Sequence, residues 1–252
     1  MIFCSNLNND RLGNQLFRFA TGYALARALG TKFCYGEKWD RKHYILNPND
    51  YISETLEIED REDINPNLVY NEPRFEYEHI PIANGMTIDG YFQSEKYFKE
   101  RKRELIQIFG RKVTRRNTCS IHIRRGDYLI LPDIFVQLNC DDYYVLACQV
   151  MNIDFAITDF IVCSDDITYA QEFADWMKQK LQFNFEVSSG SEEEDFYNLM
   201  NNQYHIIANS TFSWWAAWLS DPISVIAPKR WFKESYQGAS SKDLIPEEWI
   251  QL

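Results

Sequence analysis

The residues best suited to chemistry lie in one run, His122-Ile123-Arg124-Arg125-Gly126-Asp127-Tyr128. Adjacent arginines repel, so such a pair calls for negative charge between or beside them. Guanidinium forks bind phosphate in bidentate fashion, at about 1.5–3 kcal/mol per charge-assisted bond. Pairing with the chain's own carboxylates is the alternative, and the local pattern leaves both open. Asp127 is the candidate general base, although it could equally orient Arg125 or cap a turn.

Three further stretches carry polar groups in useful places. Phe160-Ile161-Val162-Cys163-Ser164-Asp165-Asp166 reads as a buried strand delivering two carboxylates to a helix start. One of them would accept hydrogen bonds from a base such as guanine, which offers N1–H and N2–H₂ side by side. Helix capping, worth about 1 kcal/mol, explains the same residues without a ligand. A metal site ranks behind both, because the arginines already supply positive charge for phosphates. Asn209-Ser210-Thr211-Phe212-Ser213-Trp214-Trp215 places hydroxyls and backbone N–H groups where a strand runs into a helix, which is a phosphate cradle by geometry. Trp214, Trp215 and Trp218 read as the buried side of that helix. Near the N-terminus, Gly13-Asn14 falls at a helix start where N–H groups could face an anion or a sugar, but by itself the glycine reads as an ordinary tight turn.

The elements that must position these groups follow from periodicity. Residues 117–123 alternate, with Cys119, Ile121 and Ile123 on one side and Ser120, His122 and Arg124 on the other, which predicts a strand ended by a turn at Gly126. The arginines then sit at the C-terminal end of a strand, where open α/β sheets bind ligands. Strands are expected at 120–123, 160–163, 183–187, 205–208 and 225–227. Helices are expected at 141–151, 168–181, 192–202 and 213–219, giving a mostly parallel doubly wound sheet. In the first half, strands at 1–4 and 32–35 flank a helix whose apolar face is Leu16, Phe19, Ala20, Tyr23 and Ala24, with Gly30 as its terminator. Residues 90–98 form an aromatic strand ending, and Ser94 caps a helix running to 109, closed by Gly110. Residues 37–85 are irregular and acidic, and the run at 54–60 is a solvated face or loop. The basic residues Arg111, Lys112, Arg115 and Arg116 read as a connection between two domains, 1–113 and 114–252. The acidic residues 192–195 suit a helix N-terminus, and a carboxylate there could touch a ribose.

Composition sets the outer bounds. The chain has 252 residues, 45% apolar and 15% aromatic, enough for real cores. Its net charge of −11 argues against a nucleic-acid binder, and any anionic ligand must be held by a local basic cluster. Six scattered cysteines with no C-x-x-C spacing suit buried thiols of a reducing compartment rather than a zinc site. No apolar run approaches the roughly 20 residues of a membrane span, and no signal-peptide pattern opens the chain. The expectation is a cytoplasmic protein with at most peripheral membrane contact.

Taken together, Arg11-Leu12-Gly13-Asn14-Gln15-Leu16-Phe17, residues 90–98, His122 to Tyr128, Cys163 to Asp166 and Asn209 to Leu219 resemble the motifs of the α-1,2-fucosyltransferases of glycosyltransferase family 11. The resemblance covers nearly the whole chain. It departs at Asp10-Arg11, where many bacterial members have a glycine before Leu-Gly-Asn-Gln. It implies a GT-B-like fold, two Rossmann-like α/β domains facing a cleft, with an acceptor-side N-terminal domain and a GDP-fucose-binding C-terminal domain. GDP-fucose is then the donor, a galactose-containing oligosaccharide or glycoconjugate the acceptor, and the reaction inverts without a metal or other cofactor. Residue by residue, His122 and Asp165 would address guanine, and Arg125 with Arg124 would neutralise the β-phosphate. Ser210, Thr211, Phe212 and Ser213 would hold the diphosphate. Asn14, flanked by Gly13 and Gln15, would sit near the transferred sugar and the acceptor hydroxyl. Two other readings compete: a GDP-sugar transferase of α-1,6 or protein O-fucosyl type, separable by product linkage, and a silent nucleotide- or glycan-binding protein, separable by turnover.

Overall fold

The structure, a computed structural model, describes residues 1–4, 11–35, 64–110, 113–138 and 140–252. The acidic run at 54–60, Asp10, Arg111 and Lys112 lie outside the described residues. The chain divides into two units, Met1–Arg111 with Gly238–Pro246, and Lys112–Gln237 with Glu247–Leu252. A single cut after residue 113 therefore misplaces residues 238–246, which belong with the first unit.

The first unit is built on a parallel sheet of β1 (Ile2–Cys4), β2 (Phe33–Tyr35), β3 (Val69–Asn71) and β4 (Met86–Asp89), in the order β2-β1-β4-β3. Helix α1 (Leu12–Leu29) links β1 to β2. Its burial reaches beyond the expected stripe to Leu12, Phe17, Leu25 and even Arg18. Gly22 permits this packing, since a Cβ there would lie 2.3 Å from the Phe33 ring. Gly30 ends the helix in the left-handed region at φ 63°, where glycine is unstrained.

The helix expected from Ser94 to residue 109 is broken into two 3₁₀ turns, Glu95–Tyr97 and Lys99–Arg101, before α2 (Lys102–Phe109). Phe98 interrupts it at φ −143°, its ring buried and 5.9 Å from that of Phe17. Anchoring that ring in the core overrides local helix propensity.

The second unit carries β5 (Arg116–Ile123), β6 (Asp159–Ser164), β7 (Asn184–Val187), β8 (Asn202–Ile206), β9 (Ser224–Ala227) and β10 (Ile250–Gln251). All pairs are parallel, in the order β10-β9-β8-β5-β6-β7. Read from β7, this is the 3-2-1-4-5-6 order of a dinucleotide-binding sheet, and the order reverses between β5 and β8. Between the strands run α3 (Leu146–Phe155), α4 (Ile167–Leu181), α5 (Glu192–Met200) and α6 (Thr211–Leu219). The strand expected at 205–208 starts at Asn202, and the helix expected to reach 202 stops at Met200. Trp214, Trp215 and Trp218 are fully buried, with ring centroids 5.1–6.1 Å apart, and Trp249 packs 5.4 Å from Trp214. They are core residues, as their helical spacing indicates.

Candidate functional site

In the second unit, register brings the charged residues together. His122 pairs with Cys163 and Ile123 with Ser164, so the next residues of both strands, Arg124-Arg125 and Asp165-Asp166, emerge side by side. Arg124 is held from two sides, Nη1 at 2.7 Å from Asp165 Oδ2 and Nη2 at 2.5 Å from Asp127 Oδ1. Asp165 also accepts the backbone N–H of Arg125 at 2.9 Å. Arg125 donates from Nε to Asp166 at 3.0 Å and lies 3.7 Å from the centre of the Tyr169 ring. Asp166 caps α4, accepting the Tyr169 N–H at 3.0 Å. That bond and Arg125 hold its carboxyl below the usual carboxylate range.

The arginines pair with the chain's own carboxylates, and they do so just past a strand end. Asp166 performs the capping role. Asp165 engages both oxygens in fixing the arginines, and a carboxylate with about four lone-pair directions keeps capacity for a further donor. Asp127 is a partner of Arg124, not of Arg125.

Gly126 has a different role from the one expected. β5 already ends at Ile123, and Gly126 opens a 3₁₀ helix, Gly126–Ile130, outside the left-handed region. What demands glycine is space, because a Cβ would meet Asp165 Oδ2 at 2.5 Å.

Across the switch point, His122 is buried, 5% exposed, and its Nδ1 lies 2.9 Å from Ser213 Oγ. Ser213 donates its own proton to the Ser210 carbonyl at 3.2 Å. His122 Nδ1–H is then the donor to Ser213, and Nε2 is left as an acceptor. Burial lowers the His122 pKa to about 4, against the pull of Asp165, so the ring is neutral near pH 7. Ser213 is thus buried and bonded within the fold, to His122 and to the Ser210 carbonyl. Ser210 is also buried, while Thr211 and Phe212 remain partly exposed.

The start of α6 differs from its neighbours. α4 is capped by Asp166 and α5 by a Ser191–Glu194 capping box, whereas Ser210 makes no side-chain cap on α6. The first-turn N–H groups of a helix have no intrahelical acceptors, and here that turn lies against the end of β5, where Ser213 and Phe212 meet His122.

Three tyrosines support this site, and sequence reasoning passed over two of them, Tyr144 and Tyr169. Tyr144 donates to the His122 carbonyl at 3.0 Å, Tyr128 to the Asn209 carbonyl at 2.7 Å, and Tyr169 underlies Arg125. Of those two, Tyr169 carried a legible signal, lying three residues after the capping Asp166.

In the first unit, Asn14 lies in the first turn of α1 and accepts from Gln93 Nε2 at 2.8 Å through Oδ1. Gly13 is buried, and Gln15 is 1% exposed.

Two parallel α/β units, the second in full dinucleotide-binding order with cationic groups at its switch point, define a GT-B-like protein. The profile of Glycosyl transferase family 11 matches residues 68–252, and the chain belongs to that family. It is 28% identical to an alpha-1,2-colitosyltransferase of Escherichia coli, over 96% of each chain. It is 31% identical to the O-antigen biosynthesis glycosyltransferase WbnK of Escherichia coli, over 69% of this chain and 63% of WbnK. Rabbit (Oryctolagus cuniculus) galactoside alpha-(1,2)-fucosyltransferase 2 is 27% identical over 83% of this chain and 65% of its own length. Among solved structures, NodZ alpha-1,6-fucosyltransferase soaked with GDP-fucose aligns with TM-score 0.49 and 12% identity, over 90% of this chain and 94% of that one.

Among the described residues, no helix is long and apolar enough to cross a membrane. All six cysteines are free thiols, five of them buried.

Proposed function

We propose that the protein transfers L-fucose from GDP-β-L-fucose to the 2-hydroxyl of a terminal galactose on an acceptor glycan, with inversion and without a metal ion. The observation that carries this reading is the Arg124–Arg125 pair just past the end of β5, with the first turn of α6 bonded to β5 through His122 and Ser213. Breaking the sugar–phosphate bond builds negative charge on the departing diphosphate. Fixed donors aimed at that charge lower the barrier, and a clamped guanidinium supplies them without a cation. Asp166 takes Nε of Arg125 and the Tyr169 ring lies against the guanidinium, so the group is held in place for a phosphate. The first-turn N–H groups at Thr211 and Phe212 supply neutral donors to the same diphosphate. His122 Nε2 accepts from a guanine N–H, with Asp165 as a second acceptor.

Asn14, on the N-terminal, acceptor-side unit, would meet the transferred sugar or the acceptor hydroxyl. Free thiols and the family's nucleotide-sugar chemistry favour a cytoplasmic site of action.

A second donor is favoured by one observation, the colitosyltransferase relative that matches 96% of both chains. Colitose lacks only the 3-hydroxyl of fucose, so nucleotide contacts would be common to both donors. The experiment is a donor screen of GDP-fucose, GDP-colitose, GDP-mannose and UDP-sugars over galactose-ended acceptors, with product linkage read by NMR. An α-1,2 product from GDP-fucose is the expected result. A colitosyl product replaces the donor, an α-1,6 or peptide-linked product replaces the linkage, and nucleotide binding without turnover leaves only a binding protein.

A further inference from the structure

One buried asparagine joins three separate segments of the second unit. β8 ends at Ile206 and α6 starts at Thr211. Between them the chain makes a γ-turn centred on Asn209, closed by the Ser210 N–H on the Ala208 carbonyl at 2.8 Å. Asn209 is 2% exposed, and its amide NH₂ donates to the Val136 and Trp231 carbonyls, each at 2.9 Å. Both amide hydrogens are thereby used, and an aspartate here would turn acceptors onto acceptors. The two segments it reaches are themselves paired, Val136 N–H to the Trp231 carbonyl at 3.2 Å and Lys233 N–H to the Ile134 carbonyl at 2.8 Å. The third contact is the carbonyl of Asn209, which takes the Tyr128 hydroxyl at 2.7 Å. Tyr128 is held rigidly: its ring stacks on Phe135 with centroids 3.9 Å apart and planes 4° apart, and its carbonyl takes Gln137 Nε2 at 2.9 Å. The Arg124 guanidinium lies 5.6 Å from the same ring.

We propose that Tyr128 and Asn209 are positioning residues that tie the arginine segment to the first turn of α6, so that both meet one diphosphate. The order along the chain carries this. His122 bonds to Ser213 and Tyr128 to Asn209, so the two links bracket Arg124-Arg125 on one segment and Ser210 to Phe212 on the other. Segments tied at both ends keep a fixed spacing, and fixed spacing is what two adjacent phosphates need from two sets of donors. A monophosphate can be met by either segment alone and has no such requirement. This deepens the proposed function and rests on its placement of the diphosphate at these two segments, both of which lie within the second unit.

The test is calorimetric titration of the full chain with GDP and with GMP, beside melting temperatures. The proteins are the unaltered chain, Tyr128→Phe, Asn209→Asp, Arg125→Lys and the double variant Tyr128→Phe/Arg125→Lys. Tyr128→Phe keeps the ring on Phe135 and deletes only the hydroxyl. Tyr128→Phe and Asn209→Asp should each shrink the preference for GDP over GMP by about tenfold, the worth of one hydrogen bond to a charged group. A merely structural role would lower the melting temperature and weaken both nucleotides alike, and an unchanged preference overturns the inference. With lysine at 125, Tyr128→Phe should cost less than it does alone, because both residues act on the same phosphate. Full additivity would set Tyr128 apart from the arginines and overturn the link. Should Asn209→Asp fail to fold by circular dichroism, Tyr128→Phe decides alone. An unaltered protein that binds GDP no better than GMP removes the diphosphate site and the proposed function with it. A GDP preference that survives both variants removes this inference alone.

Discussion

Arg125 and Asp166 are joined at 3.0 Å, and both are tied to Tyr169. Asp166 Oδ2 takes Arg125 Nε, Asp166 Oδ1 takes the Tyr169 N–H, and the Tyr169 ring lies 3.7 Å from the Arg125 guanidinium. One carboxylate thus caps α4 and also aims an arginine that follows β5. The fold supplies pre-organisation that a flexible surface arginine would lack.

Arg125→Lys should lose most turnover while the fold survives. Lysine keeps the charge but has neither the Nε that Asp166 holds nor the planar fork. Losing one fixed donor to a developing oxyanion costs about 3–4 kcal/mol, a factor of roughly 10²–10³ in kcat. kcat and KM for GDP-fucose, beside the melting temperature, check this. Near-normal kcat would make Arg125 a structural ion-pair partner.

Gly126→Ala should weaken GDP binding more than it weakens the fold. The new methyl meets a carboxylate oxygen at 2.5 Å, so Asp165 must move, and with it the clamp on Arg124 and on the Arg125 N–H. Calorimetric titration with GDP should show about a tenfold loss, near 1.4 kcal/mol. Unchanged affinity would mean that Asp165 does not organise the site.

The sequence made legible those parts that depend on neighbours along the chain. β5 and the exit of Arg124 and Arg125 follow from two-residue alternation, and the tryptophans of α6 from helical spacing. Groups joined through the fold were hidden. His122 and Ser213 are 91 residues apart, so their bond leaves no local trace. Gly126 carried a misleading signal: its reason is a carboxylate on β6's exit loop, 39 positions away in sequence numbering (165 − 126), not a backbone turn. The return of Gly238–Pro246 to the first unit shows nowhere in composition.

Stability should fall between pH 7 and pH 5. His122 and His205 are buried neutral, their pKa values lowered by desolvation to about 4 and about 3. His205 bridges Ser120 and Ser220 at 2.8 Å each and sits inside the fold. Because both folded pKa values lie below the unfolded value of about 6.5, the unfolded chain binds protons first as pH drops. The contribution is intact above about pH 6.5 and is lost progressively down to the folded values. At pH 5 the loss is about 2 kcal/mol per histidine. Urea midpoints at the two pH values measure it, and His205→Gln should roughly halve the decrement. A flat profile would mean that both rings are charged in the fold, and a halved one that one of them is.

Asp127→Asn should separate a base from a positioning group. Asp127 lies 2.5 Å from Arg124 Nη2, and Asp165 grips the same guanidinium at Nη1. An asparagine keeps one accepting oxygen for Arg124, and the Asp165 contact remains, so a positioning role predicts a loss of about tenfold or less. Removing a general base costs about 10²–10⁴ and abolishes the acidic limb of the pH–rate profile. We expect the smaller loss, with that limb retained, because the carboxylate is already committed to an arginine. Asp127→Ala should cost more than Asp127→Asn, since it leaves Arg124 held from one side only. If the asparagine variant instead loses the acidic limb along with at least a hundredfold in kcat, Asp127 takes the acceptor's proton and Arg124 serves to orient it.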